Sequence, residues 1–81
     1  MTTTKQELSD WFDAGVKQGA MHMLVICDCF DHEDYPVYTK TADGCRAKYK
    51  NPGEMQRVME VYDLNADKAA QMAAVRAFSL P

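Results

Sequence analysis

His22-Met23-Leu24-Val25-Ile26-Cys27-Asp28-Cys29-Phe30-Asp31-His32-Glu33-Asp34-Tyr35-Pro36-Val37-Tyr38 is the stretch on which the fold turns. It begins as the most apolar segment of the chain, crosses a dense acidic turn and resumes as a second β-type run. Leu24, Ile26 and Phe30 alternate with Met23, Val25, Cys27 and Cys29, so both faces of the first arm are apolar until Asp28 intervenes. A strand that is apolar on both faces belongs in the middle of a sheet or under cover on each side. The second arm, Pro36-Val37-Tyr38-Thr39-Lys40-Thr41, is β-branched and aromatic, and it is opened by a proline where a missing ladder donor is tolerated. Together the arms read as a hairpin with the sheet's central strand on its first arm.

Before the hairpin, Thr4-Lys5-Gln6-Glu7 has the form of a capping box, and Leu8, Trp11, Phe12 and Val16 recur at helical spacing. The spacing predicts a helix over about residues 4–18, ended by Gly19 in the left-handed region. After the hairpin, Ala42-Asp43-Gly44 reads as a turn, with Asp43 capping a short helix through Cys45–Lys50 that Asn51-Pro52-Gly53 interrupts. Residues 54–64 fit two patterns. Met55, Val58, Met59 and Tyr62 have helical spacing, whereas Val58, Glu60, Tyr62 and Leu64 alternate with Met59, Val61 and Asp63. Strand is chosen because a two-stranded hairpin is marginal in water and a third strand would stabilise it. Asn65 then caps an alanine-rich helix from Ala66 to Phe78. The expected fold is a single α+β domain over residues 1–81 in the order α-β-β-α-β-α, with a three-stranded, mainly antiparallel sheet packed by helices. The alternative makes residues 52–63 helical, giving α-β-β-α-α.

A chain of 81 residues buries only roughly 60–65% of the surface its unfolded form exposes. Such a chain has little room for both a full core and a large substrate cleft, so a small-molecule site shared between subunits, and hence a homo-oligomer, is expected. The net charge of −3 is uneven: residues 1–39 sum to −5 and residues 40–81 to +2. An acidic chain is a poor partner for duplex nucleic acid, whose phosphates need neutralising. The N-terminus, Met1-Thr2-Thr3-Thr4-Lys5, is polar, no run approaches the ~18 apolar residues of a membrane span, and the three cysteines are an odd number. These features point to a cytoplasmic protein with reduced thiols and no membrane partner.

Cys27 and Cys29, with His32, His22 and Cys45, form the most metal-like group, but zinc sites draw paired cysteines from a tight knuckle and a second such pair is absent. Buried free thiols, with no metal and no cofactor, are the expected state. Asp28, Asp31, Glu33 and Asp34 lack the ligand spacing and turn glycine of a calcium loop, so they read as a solvated acidic turn. Asp31, Glu33 and Asp34 would then serve as contacts for a basic protein surface. The remaining feature is a mixture of tyrosines and cations. Tyr35, Tyr38, Arg46, Lys48 and Arg57 are the candidate ligand-binding residues, because tyrosine rings stack on nucleobases and arginine forks pair with phosphate. No nucleophile has a convincing partner and the glycines are too scattered for a phosphate-cradling loop, so a non-enzymatic protein is expected.

The segments Gly19–Tyr38 and Met55–Leu64 resemble a family of small proteins encoded by bacteriophages and bacteria that carries no assigned chemistry. The resemblance covers most of the chain. It implies a counter-defence setting, since small acidic phage proteins without an enzymatic signature often inhibit host systems. Two functions of different class follow: sequestration of a nucleotide-type immune signal at an oligomer interface, or inhibition of a host defence protein through the acidic turn. A metal-binding regulator stands third.

Overall fold

The computed structural model describes residues 3–81; Met1 and Thr2, which open the polar N-terminal stretch, lie outside the described residues. Three helices and three strands follow in the order α1 (Lys5–Lys17), β1 (His22–Asp28), β2 (Glu33–Thr39), α2 (Ala42–Lys50), β3 (Gln56–Asp63) and α3 (Lys68–Ala73). The sheet is antiparallel with order β2-β1-β3, so the apolar arm is its centre. Met23, Leu24, Val25 and Ile26 are each at most 1% exposed, and full burial of such side chains stabilises by about 1.5–3 kcal/mol apiece.

Each face of the sheet has its own core. Met23, Val25 and Tyr62 meet Leu8 and Phe12 of α1, where Phe12 packs edge-on to Tyr62 with ring centroids 6.2 Å apart. On the opposite face Leu24, Ile26 and Val61 meet Cys45 of α2, with Tyr35, Val37 and Val58 packed around them.

Local chemistry sets the ends of α1. Thr4 and Glu7 form the reciprocal capping box, and Gly19 takes φ 77° just past the C-terminus. Gly15 is buried within the helix, and a β-carbon there would lie 2.7 Å from both Leu64 Cδ1 and Tyr38 Cε1. Glycine at this position lets the helix lie directly on the sheet.

Several boundaries differ from expectation. β2 starts at Glu33, which puts Pro36 at its fourth residue. Met21 N donates to Thr39 O, so alternate residues 39, 37, 35 and 33 turn their backbone groups to β1 and Pro36 turns outward. The missing donor therefore falls on the free edge, where it also discourages pairing with another chain. α2 starts at Ala42 rather than Cys45, because Thr41 is its N-cap and accepts from Gly44 N. Residues 56–63 are strand, as chosen above. The helical alternative is closed off by Gly53 at φ 120° and Met55 at φ 60°, which turn the chain into β3.

The last helix is the largest correction. Only Lys68–Ala73 is helical, capped by Asp67 rather than Asn65. Beyond it Phe78 bridges Val61 in parallel, with Val61 N donating to Ala77 O and Ser79 N to Val61 O. The outer edge of β3 needs hydrogen-bond partners, and that demand overrides the alanine-rich segment's helix propensity. Gln71 extends the same cover: its Oε1 accepts from Asp63 N at 2.7 Å and its Nε2 donates to Asp63 O at 2.9 Å.

Candidate functional site

β3 carries the irregularity that shapes the site. Val25 pairs with Glu60 and Ile26 with Val58, so Met59 is an extra residue in the ladder. A bulge of this kind turns neighbouring side chains to one face. Met59 joins the α1-side core, and Glu60 lies on the same side, bonded to Tyr62.

At that end of the sheet the rows facing α1 become polar: Asp34, Cys27 and Arg57 lie side by side across the three strands. Charged groups resist burial without partners, so α1 does not seal this end. A cleft of about 360 Å³ remains, lined by Thr3, Lys5 and Leu8 of the helical layer, Val25, Cys27 and Asp34 of β1 and β2, Met59 and Glu60 of the bulge, and Val75 and Arg76 of the C-terminal segment.

The polar groups are fixed by hydrogen bonds. Asp34 Oδ2 accepts from Thr3 Oγ1. Lys5 Nζ reaches across to Ala74 O at 3.0 Å, which ties α1 to the C-terminal segment. Glu60 is buried, and its Oε1 accepts from Tyr62 Oη at 2.8 Å and from Ala77 N at 3.3 Å. Burial, followed by the Glu60 carboxylate, pushes the Tyr62 phenol far above its ordinary range, so it stays a donor to Glu60. Burial and the hydrogen bond to Asp34 likewise push the Cys27 thiol up, away from a nucleophilic thiolate.

The five residues expected to bind a ligand do not meet in one chain. Tyr35 belongs to the α2 face, where its hydroxyl donates to Gln56 Oε1. Tyr38 belongs to the α1 face and donates to Trp11 O at 2.6 Å. Arg46 is exposed on α2 and paired with Asp43. Lys48 is half-buried on α2, and Arg57 is exposed on β3 beside Cys27. Of the acidic group, Asp31 and Glu33 are exposed whereas Asp34 turns into the cleft. Among the described residues no three His, Cys, Asp or Glu side chains are arranged to hold a metal ion. Cys45 is buried, Cys27 and Cys29 are half-buried, and all three are free.

Lys5, Glu60 and Arg76 were not among the expected site residues. Glu60 did leave a trace, as the one charged residue inside the run Val58-Met59-Glu60-Val61-Tyr62. Arg76 belongs to the chain's mixture of tyrosines and cations with nothing further to single it out, and Lys5 left no trace, since it looks like an ordinary surface cation.

The hairpin tip is the second distinctive surface. Asp28 Oδ1 accepts from Phe30 N at 2.9 Å and Asp31 N at 3.4 Å, and His32 N donates to Asp28 O at 2.7 Å. His32 takes φ 59° to close the turn. This cage holds Phe30 out, 76% exposed. Cys29 N donates to Met55 O at 2.7 Å, so the turn entering β3 adjoins the tip and adds Met55, 57% exposed. Asp31, Glu33 and Glu54 are the exposed acids on these two turns.

No helix among the described residues is long and apolar enough to cross a membrane. Comparison with family models, with curated proteins and with solved structures returns no match.

Proposed function

We propose that the protein is a non-enzymatic binding protein that inhibits a host protein through the β1–β2 tip, with Phe30 as anchor and Asp31 and Glu33 as the acidic rim. The exposure of Phe30 on a turn fixed by three hydrogen bonds carries this reading. A water-exposed aromatic side chain on a pre-organised turn is suited to fill a partner's pocket, and flanking carboxylates select a basic surface around it. The counter-defence setting implied by the family resemblance makes a host defence factor the partner class. This reading is preferred to nucleotide sequestration because Tyr35 and Tyr38 are partly buried against the cores on opposite faces of the sheet, with their hydroxyls bonded to Gln56 and to Trp11 O, which suits them to packing more than to stacking on a base.

The test is affinity capture of host proteins on immobilised protein, followed by titration of each captured partner with variants. Phe30→Ala should weaken binding by about 2 kcal/mol, roughly 30-fold, and the double reversal Asp31→Lys, Glu33→Lys should abolish it. Tyr49→Ala, on the exposed side of α2, should leave it intact. A partner held equally well by all of these variants refutes the proposal.

A further inference from the structure

We propose that the cleft between α1 and the bulged end of β3 is a binding site for a zwitterionic small molecule of the α-amino acid class, separate from the hairpin tip. The charges of its lining argue for this chemistry. Asp34 and Glu60 supply two carboxylates, Lys5 and Arg76 two cations, and Leu8, Val25, Met59 and Val75 an apolar surface between them. A purely anionic ligand would meet the carboxylates unfavourably, and a polyamine would meet the cations. A molecule with an ammonium group, a carboxylate and an apolar side chain answers all three.

Glu60 is the built element. It is only 9% exposed, and its two hydrogen bonds, from Tyr62 Oη and Ala77 N, both go to Oε1. Oε2 has no donor among the described residues, although Glu60 lines the cleft. Oε2 is not sealed from solvent, so a ligand ammonium would replace water there with a charge-assisted hydrogen bond in a partly enclosed cleft. The Met59 bulge and the Tyr62 hydroxyl hold Glu60 in place, so the acceptor is pre-organised. Asp34 is the second acceptor, already oriented by the Thr3 hydroxyl. Arg76 is exposed at the mouth and Lys5 is tethered to Ala74 O; these two receive the ligand carboxylate.

The cleft's size fits this class. At about 360 Å³ it lies at the small end of ligand pockets, which suits one amino acid better than a dinucleotide.

Binding is tested by isothermal titration and amide chemical-shift mapping with leucine, methionine, lysine and glutamate, with pentylamine and hexanoate as single-charge probes. Leucine or methionine is expected to bind and to shift the amides of Cys27, Asp34, Met59 and Glu60. Pentylamine and hexanoate should each bind at least tenfold more weakly. Glu60→Gln keeps an oxygen for Tyr62 and Ala77 but loses the charge, and should weaken leucine binding at least tenfold. Arg76→Gln, at an exposed position that leaves folding intact, should do the same, while Phe30→Ala should change nothing. No binding of any amino acid at 10 mM overturns the proposal, as does pentylamine or hexanoate binding as tightly as leucine, or leucine affinity unchanged in both cleft variants.

Discussion

Replacing Gly15 with alanine sets two known effects against each other. In an exposed helix interior the change would stabilise by about 1 kcal/mol, because glycine loses more backbone freedom on folding. Here the new methyl group would sit 2.7 Å from Leu64 Cδ1, 2.7 Å from Tyr38 Cε1 and 2.9 Å from Tyr38 Cδ1. Carbon atoms pack best at about 3.5–4.0 Å, so the neighbours would have to withdraw by about 1 Å. Neither is free to do so. Leu64 is 5% exposed, and the Tyr38 ring is tethered by its hydroxyl to Trp11 O at 2.6 Å. Overpacking costs about 1–3 kcal/mol, and losing the tyrosine hydrogen bond adds about 1. The net expectation is destabilisation of about 1–3 kcal/mol, equivalent to a fall in Tm of roughly 4–24 °C for a domain this size.

Urea unfolding followed by fluorescence of Trp11, the single tryptophan, measures the effect close to where it arises. The double variant Gly15→Ala, Leu64→Val adds a sharper test. Valine lacks the δ-carbon that the methyl group meets, so the pair should be less destabilised than the sum of the two single changes by at least 0.5 kcal/mol. A Gly15→Ala protein that is more stable than the parent, or strict additivity in the double variant, would refute this account of how α1 sits on the sheet.

Gln71 should matter more than a half-buried polar residue on a short helix ordinarily does. Gln71→Ala removes both side-chain bonds to the Asp63 backbone and should cost about 1–2 kcal/mol, with faster hydrogen exchange at the Asp63 amide; unchanged exchange there would show that the edge is covered by other means. Stability should also fall in alkali. The Cys27, Cys45, Tyr38 and Tyr62 acids are all pushed up, chiefly by burial, so the fold holds protons that the unfolded chain releases. Their contribution is complete below the ordinary thiol and phenol values of 9.0 and 10.0, and is lost as pH rises through and beyond them. Urea midpoints measured from pH 7 to 11 should stay level to about pH 9 and then drop, less steeply in Tyr62→Phe; a level profile to pH 11 would contradict this.

The parts of the fold legible in the sequence are those whose causes are local or composition-wide. The Thr4–Glu7 capping box makes its hydrogen bonds within four residues, and the Met23–Ile26 run is apolar on both faces whatever its neighbours, so α1 and the central strand could be read directly. The choice of strand for residues 56–63 came from what a hairpin needs, not from the residues themselves. Features set by pairing were not legible. The Met59 bulge exists only in the register between β1 and β3, and it places Tyr62 and Val58 on opposite faces although they are an even number of residues apart. Ala66–Phe78 shows the same limit, because the segment's propensity is helical while β3's open edge recruits its second half. The candidate site suffers most, since Glu60, Asp34, Lys5 and Arg76 come from four separate stretches and are assembled only by the bulge and the C-terminal bridge.

The cleft and the close packing of α1 are two ends of one arrangement. The α1-facing rows run from Tyr38–Met23–Tyr62, uncharged throughout, to Asp34–Cys27–Arg57, with charged groups at both edges. Over the first, Gly15 removes the last steric obstacle and the helix settles onto the sheet. Over the second, full contact would strip water from Asp34 and Arg57, at a cost that the aliphatic part of an α1 residue such as Lys5 cannot offset. The helix therefore closes at one end and is held by polar bridges at the other, through Thr3 to Asp34 and Lys5 to Ala74. An exchange at Gly15 that lifts the C-terminal half of α1 should consequently alter the geometry of the cleft at the helix's other end.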